Sequence, residues 1–422
     1  MPNRTLGLCF ALLVCAGACW AQPTYANEVS RIMRAKCENC HRAGDIAPFA
    51  LPDYASVTLW ADDIQATINN GVMPPWKPVA GYGDFQNSFA LTGDEIQTVN
   101  DWIAAGEPMG DPSDLLAPLP DAGPWPLGTP DAVLQMPQPF TPTRGTDVYR
   151  CFVLPTNISS ETYLSAVDIS PGNRKIVHHV LLFLDTTGQA AQMDGQDGSP
   201  GYDCFGGPGI TLNLDSALGG WAPGARGQFL PDGVGIHLPA NATVVMQVHY
   251  YPNVGTGPDQ TSVGLYFAQT GVRQRLYMIP ILNSDFTIPA GAAAYNVSAS
   301  FPSGPLAAHV IWIFPHMHLL GQQIKVDLIN PDQSVTPMVY ENQWDFKWQG
   351  AYTYSNPVAV GPWSTLKLNC IFDNSEANPK NPNNPLVPVS WGERTTDEMC
   401  LAFLGVTLDG ENLLPLTHRP LR

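Results

Sequence analysis

Positive charge is what this chain has least of: 20 Lys and Arg stand against 37 Asp and Glu, a formal net charge of −17 over 422 residues. No cluster of Lys and Arg offsets the deficit. A phosphate backbone or an anionic bilayer would require one, so neither nucleic acid nor a charged membrane surface is expected as a partner. Long apolar runs are missing beyond residues 1–21, so no membrane span is expected. There is no second C-x-x-C after the one at Cys37, and no strong internal repeat. What is present is material for packed cores, with 44% hydrophobic and 14% charged residues. At roughly 150 residues per domain the length suggests about three domains. The 41 prolines and 38 glycines, with short runs of Val, Thr and Tyr between them, favour β-sheet joined by turns.

Residues 1–21 carry one cation, Arg4, no acid, and an apolar run over 6–18 that is too short to cross a bilayer with anchoring flanks. This reads as a secretory signal cleaved before Gln22, with acylation of Cys19 in a lipoprotein as the alternative. Nine cysteines less Cys9, Cys15 and Cys19 leave Cys37, Cys40, Cys151, Cys204, Cys370 and Cys400. In an oxidising compartment thiols pair, and setting the C-x-x-C aside leaves four, enough for two disulfides.

Cys37-Glu38-Asn39-Cys40-His41 is the C-x-x-C-H arrangement of covalent c-type haem, two thiols for the vinyl groups and a histidine for the iron. A short disulfide loop is the bland alternative. The spacing predicts a helix over 28–36 entering the motif and a second carrying Ile64, Ile68 and Val72. A third opens on the capping box Thr92-Gly93-Asp94-Glu95, carries Ile96, Val99 and Ile103, and stops at Gly106. This segment resembles a cytochrome c domain. The resemblance makes Met73 the expected sixth iron ligand, ahead of Met33 and Met109, against core packing as the ordinary use of a methionine.

Ten prolines fall within residues 106–142, so neither a helix nor a central strand is expected there, and the stretch reads as a semi-rigid spacer. Beyond it, strand-like runs at 176–184, 243–251, 262–268, 308–314, 323–328 and 364–372 alternate with Pro- and Gly-marked turns, the pattern of antiparallel sandwiches. The expected fold is therefore multidomain, a small all-α cytochrome c-like domain followed by two all-β antiparallel, jelly-roll-like sandwiches. The expected boundaries are 1–21 for the signal, 22–106 for the haem domain, 107–142 for the linker, and 143–272 and 273–422 for the sandwiches.

Five of the nine histidines fall in three contexts: His178-His179, His249, and His316-Met317-His318. Residues two apart on a strand share a face, so His316 and His318 suit one ion. Adjacent residues face opposite ways, so His178 and His179 share an ion only with a local distortion. Lone His249 reads equally as an ordinary core or surface residue.

Residues 145–410 resemble the copper type II, ascorbate-dependent monooxygenases through four local sequences. Lys175-Ile176-Val177-His178-His179-Val180 and Gln247-Val248-His249-Tyr250 resemble the segments supplying three histidines to one copper. His316-Met317-His318-Leu319-Leu320-Gly321 and Thr396-Asp397-Glu398-Met399-Cys400 resemble those supplying His-x-His and methionine to the other. The resemblance also implies Cys151–Cys204 and Cys370–Cys400 disulfides and a non-ligating role for His309; His237 and His418 have no role in it.

Three imidazoles suit copper in either oxidation state, whereas two imidazoles with a thioether favour Cu(I). The resemblance implies two mononuclear copper sites, with O2 used at His316, His318 and Met399 to hydroxylate an aliphatic C–H and the second electron supplied from His178, His179 and His249. Relatives acting on peptides have an arginine just before His-x-His, and here Phe314 and Pro315 stand there. Leu401, Ala402 and Phe403 follow where those relatives place polar groups, so a small apolar or aromatic organic substrate is expected. The electron donor would be an ascorbate-like reductant or a periplasmic redox protein, relayed by the fused haem. Two other classes compete: a non-catalytic cuprohaem electron carrier or copper-handling protein, and a zinc-bound adhesive sandwich. The haem motif and export together point to secretion across the inner membrane into a bacterial periplasm, with a surface lipoprotein as the alternative.

Overall fold

The computed structural model describes residues 22–413 except 87, 120–122, 144, 146, 224, 226 and 252–254. The expected signal segment and His418 lie outside the described residues. The described residues fall into two compact units: those up to 43, with 47–74 and 89–120, form one, and 44–46, 75–88 and those from 121 on form the other.

The first unit is built from short helices. A turn at Tyr25–Val29 runs into the helix Ser30–Lys36, which delivers the chain to Cys37. Tyr54–Leu59 and Ala61–Asn69 follow, the former opened by a capping box between Asp53 and Ser56. Gly93–Ala104 opens on the capping box expected from sequence, Thr92 accepting from the Glu95 N–H while Glu95 reaches back. Ile64, Ile68 and Val99 are buried, and so is Trp102, whose indole N–H donates to the Pro108 carbonyl at 3.1 Å. Val72 departs from expectation. The helix Ala61–Asn69 stops short of Val72, which is 53% exposed, because two residues past the cap at Asn70 the helical period no longer sets its direction.

The proline-rich stretch is tied down at both ends rather than acting as a spacer throughout. Tyr25 and Ala26 donate their N–H groups to the carbonyls of Pro108 and Met109, and the Arg34 guanidinium donates to the Ala117 carbonyl. Further on, Ala132–Gln135 is an edge strand paired with Ser262–Phe267, the place where flanking prolines cost no ladder bond. Met136 is buried and Phe140 exchanges backbone hydrogen bonds with Asp259. Residues 75–88, expected within the haem domain, instead belong to the second unit. Val79 donates to the Tyr340 carbonyl, Gln86 to that of Thr353, and Phe85 is buried in a β-sheet core.

The second unit contains four main sheets, antiparallel except where Gln274–Arg275 runs parallel to Val234–Leu238. The first sandwich pairs the order Ala132–Gln135, Ser262–Phe267, Thr162–Ser170, Val234–Leu238, Gln274–Arg275 with Tyr202–Asp203, Val148–Pro155, Thr243–Tyr250, Val177–Asp185, Ala217–Trp221. Their core includes Leu154, Leu164, Leu182, Val244, Val248 and Leu265, each buried side chain contributing roughly 1.5–3 kcal/mol. The second sandwich pairs Tyr277–Asn283, Cys400–Leu408, Ala308–His316, Tyr352–Val360 with Tyr295–Pro302, Thr365–Phe372, Gly321–Ile329, Val335–Glu341. The six strand-like runs expected from sequence all fall on observed strands. The strand Ala308–His316 is buried on both faces. Val310 and Ile313 enter the second core while Ile311 and Trp312 pack against the first, so one sheet serves both sandwiches.

Two disulfides, Cys151–Cys204 and Cys370–Cys400, have the pairing the resemblance implies, and both leave Cys37 and Cys40 out. No helix among the described residues is long and apolar enough to cross a membrane.

Candidate functional site

His249 lies on Thr243–Tyr250, the middle strand of its sheet. Tyr149 is directly opposite it on one neighbour and His179 directly opposite on the other, a single cross-strand row. The distortion that His178 and His179 require is present. Val177 faces Tyr250 and His179 faces His249, so one extra residue, His178, is accommodated as a β-bulge. The three imidazoles converge within 4.8 Å. Nδ1 of His179 is 3.2 Å from Nδ1 of His178 and 3.4 Å from Nδ1 of His249.

The surroundings brace this triad. The Tyr149 ring stacks on His249 at 4.1 Å and 8°. Asp147 Oδ1 lies 3.4 Å from His249 Nε2, and neither atom has another hydrogen-bond partner. Phe346 stacks on His178 at 4.8 Å and stands edge-on to His318 at 5.8 Å, so one ring touches a histidine of each group.

The second group rests on another bulge. Against Cys400–Leu408, Val310 faces Val406 and Trp312 faces Gly405, so Ile311 is the extra residue, and the register with Tyr352–Val360 also breaks there. Without it, strict alternation from core-facing Val310 would turn Trp312, Phe314 and His316 into the second core; the bulge reverses the phase and sends them to the opposite side. Met317 enters the core between His316 and His318, fully buried. His316 pairs with Leu401, two residues beyond Met399, and the His318 N–H and ring contact Glu398 and Asp397 just before it. Nδ1 of His316 is 2.8 Å from Gln349 Oε1 and Nδ1 of His318 is 3.0 Å from the Asp397 carbonyl, which makes Nδ1 the N–H donor in each ring and leaves Nε2 for a ligand.

A cavity of about 440 Å³ joins the two groups, lined by His179 from the triad and by His316, His318 and Met399 together. Most of its remaining wall is apolar, including Trp221, Ile236, Trp312, Phe314, Leu401 and Phe403. Its described lining holds no Lys or Arg and one carboxylate, Glu393, which burial pushes upward in pKa. Burial, reinforced by the neighbouring imidazoles, pushes His178 and His316 down to about 3 and His318 to about 4, and lowers His179; burial also lowers His249 against the opposing pull of Asp147. All five are therefore neutral at physiological pH, the state in which imidazole binds metal.

In the helical unit, His41 Nδ1 is 3.1 Å from the Phe49 carbonyl, which leaves Nε2 as a ligand atom. Met33 is buried in the core and Met109 packs against it, whereas Met73 is 40% exposed and outside that core. His309 pairs with Asp409 at 2.7 Å and His237 lies between Asp215 and Glu161, both away from the cavity lining. Asp147, Tyr149, Phe346, Gln349 and Glu398 were not singled out by sequence reasoning; only Glu398, beside Met399 in the quoted segment, carried a local signal.

Fold and site together define a double β-sandwich in which two groups of histidines flank one apolar cavity, and one group, His178, His179 and His249, could hold a metal ion. Residues 268–406 match the copper type II ascorbate-dependent monooxygenase, C-terminal domain. The chain is 24% identical over 294 residues to "DBH-like monooxygenase protein 1" of Mus musculus, covering 62% of this chain and 44% of that protein. It is 24% identical over 253 residues to "Tyramine beta-hydroxylase" of Caenorhabditis briggsae, covering 56% and 40%. The chain thus spans less than half the length of these relatives. Among solved structures it is similar to PNGF-II at 10% identity and TM-score 0.30, over 68% of this chain and 66% of that one.

Proposed function

We propose that the chain is an exported copper monooxygenase that hydroxylates an aliphatic C–H of an uncharged apolar or aromatic small molecule with O2. The observation that carries this reading is the shared cavity, into which His179, His316, His318 and Met399 all project amid apolar side chains. The donor sets fit copper: three neutral imidazoles at His178, His179 and His249, and two with a thioether at His316, His318 and Met399. Copper held there supplies one-electron redox chemistry and O2 activation. The chain's own part is to fix the imidazole orientations through Gln349 and the Asp397 carbonyl, to exclude water with Trp312, Phe314 and Phe403, and to seat an apolar substrate beside Met399. The cavity is within the ~300–1,000 Å³ range of small-molecule sites. Nothing in its described lining would neutralise a substrate carboxylate.

The reading includes a cytochrome c-like role for the helical unit, with Cys37 and Cys40 as attachment points and His41 and Met73 as axial ligands. It is supported by the Nδ1–carbonyl contact of His41, by the exposed thioether of Met73, and by the absence of Cys37 and Cys40 from both disulfides. A haem held there supplies a one-electron carrier, suited to a reaction drawing electrons singly from an ascorbate-like reductant or a periplasmic redox protein. Disulfides and a haem attachment motif together suit a bacterial periplasm.

The test is oxygen consumption by copper-loaded protein across a series of neutral alkylbenzenes. Substrate-dependent uptake, lost in Met399→Ala with both sandwiches folded, is expected. Copper uptake with no substrate-dependent O2 use would replace this reading with the non-catalytic electron-carrier one.

A further inference from the structure

Glu398 immediately precedes Met399 and is fully buried. Three backbone N–H groups converge on its carboxylate. Oε2 accepts from His318 at 2.9 Å and from Met399 at 3.2 Å, and Oε1 accepts from Leu320 at 2.5 Å. These donors come from two segments that meet only in the folded chain: the turn holding His318 and the strand entry holding Met399. Trp344 adds a further tie, its indole N–H donating to the His318 carbonyl at 3.0 Å.

The geometry points to Glu398 as a positioning residue that holds the imidazole of His318 and the thioether of Met399 in one ligand set. This inference rests on the copper reading above. Each donor is a backbone N–H, and between them they engage both oxygens of the side chain, a pattern that the single oxygen of a primary amide does not reproduce. With glutamine, the –NH2 end would face at least one N–H, donor against donor, at a fully buried position. The imidazoles of His178, His179 and His249 have no bond to Glu398, so they should be indifferent to the change.

The experiment compares the full chain with Glu398→Gln, measuring Cu(I) affinity by chelator competition and the sulfur contribution to the copper X-ray absorption spectrum. Glu398→Gln should weaken one of the two copper sites by about 10–100-fold. It should lose the sulfur contribution while the other site keeps its affinity and both disulfides form. Wild-type affinity with an undiminished sulfur contribution in Glu398→Gln would overturn the inference. A wild-type spectrum without sulfur would sink the copper assignment itself, and the inference with it. Should Glu398→Gln fail to fold, Glu398→Asp keeps a carboxyl head one methylene short: selective weakening of the sulfur-bearing site supports the inference, and equal weakening of both sites overturns it.

Discussion

Asp147 and His249 meet at 3.4 Å, and the same carboxylate accepts the Thr395 N–H at 3.0 Å through its other oxygen. One acid therefore touches a histidine of the first triad and the loop that leads to Met399. Tyr149 repeats the arrangement, stacking on His249 while its hydroxyl donates to the Glu393 carbonyl. Burial opposes ionisation of Asp147, yet the His249 contact and the Thr395 N–H hold its carboxyl below the usual range.

Asp147→Asn removes the charge and leaves the shape. Copper affinity at the three-histidine site should fall about tenfold, as it does when the outer partner of a ligating histidine is lost. Chelator competition on the purified variant checks it, with the His316, His318 and Met399 site as the internal comparison.

Phe403→Asp would place a carboxylate in the apolar wall of the cavity without touching a ligand. Affinity for a neutral aromatic such as ethylbenzene should drop at least about tenfold, because a charge would be desolvated by the ligand with no partner. Quenching of tryptophan fluorescence in metal-free protein measures this, and metal content should stay at wild-type level.

Glu341 is fully buried, and burial pushes its carboxyl up to about 8 despite the Tyr352 hydroxyl donating to it at 2.9 Å. Between the ordinary value near 4.5 and about 8, the unfolded chain is ionised there while the folded chain is protonated. The folded state then binds more protons, so stability falls as pH rises through this window. The buried histidines have the opposite sign, but their contribution tails off over the unit above their ordinary value near 6.5. From about pH 7.5 to 8 the urea midpoint of metal-free protein should therefore decline. In Glu341→Gln the decline should be shallower.

Cys40→Ser should abolish one of two thioether links. When the protein is produced in a host with c-type haem maturation, the haem of the denatured variant should show the pyridine haemochrome spectrum of a single attached vinyl. Unchanged spectra, or no haem on the parent protein, would remove the haem from the proposed function.

Much of the site was legible in one dimension. His-x-His places two imidazoles on one face by the period of a strand, and the capping box at Thr92 marked a helix start to the residue. The proline-rich stretch misled, because proline forbids a central strand but leaves an edge strand open, as Ala132–Gln135 shows. Residues 75–88 carried no local signal that they pack with a β-sheet core more than two hundred positions away.

The residue types determined which chemistry the protein can host: imidazoles, thioethers, a C-x-x-C-H and an apolar complement without clustered cations. Which of those side chains meet was decided by two bulges. The extra residue at His178 lets neighbouring histidines face one ion, and the extra residue at Ile311 turns His316 out of a core and into the cavity. A bulge shifts the two-residue alternation by one place and reverses every side chain beyond it. It is stabilised by pairing with strands distant in sequence, so it forms only in the assembled sheet.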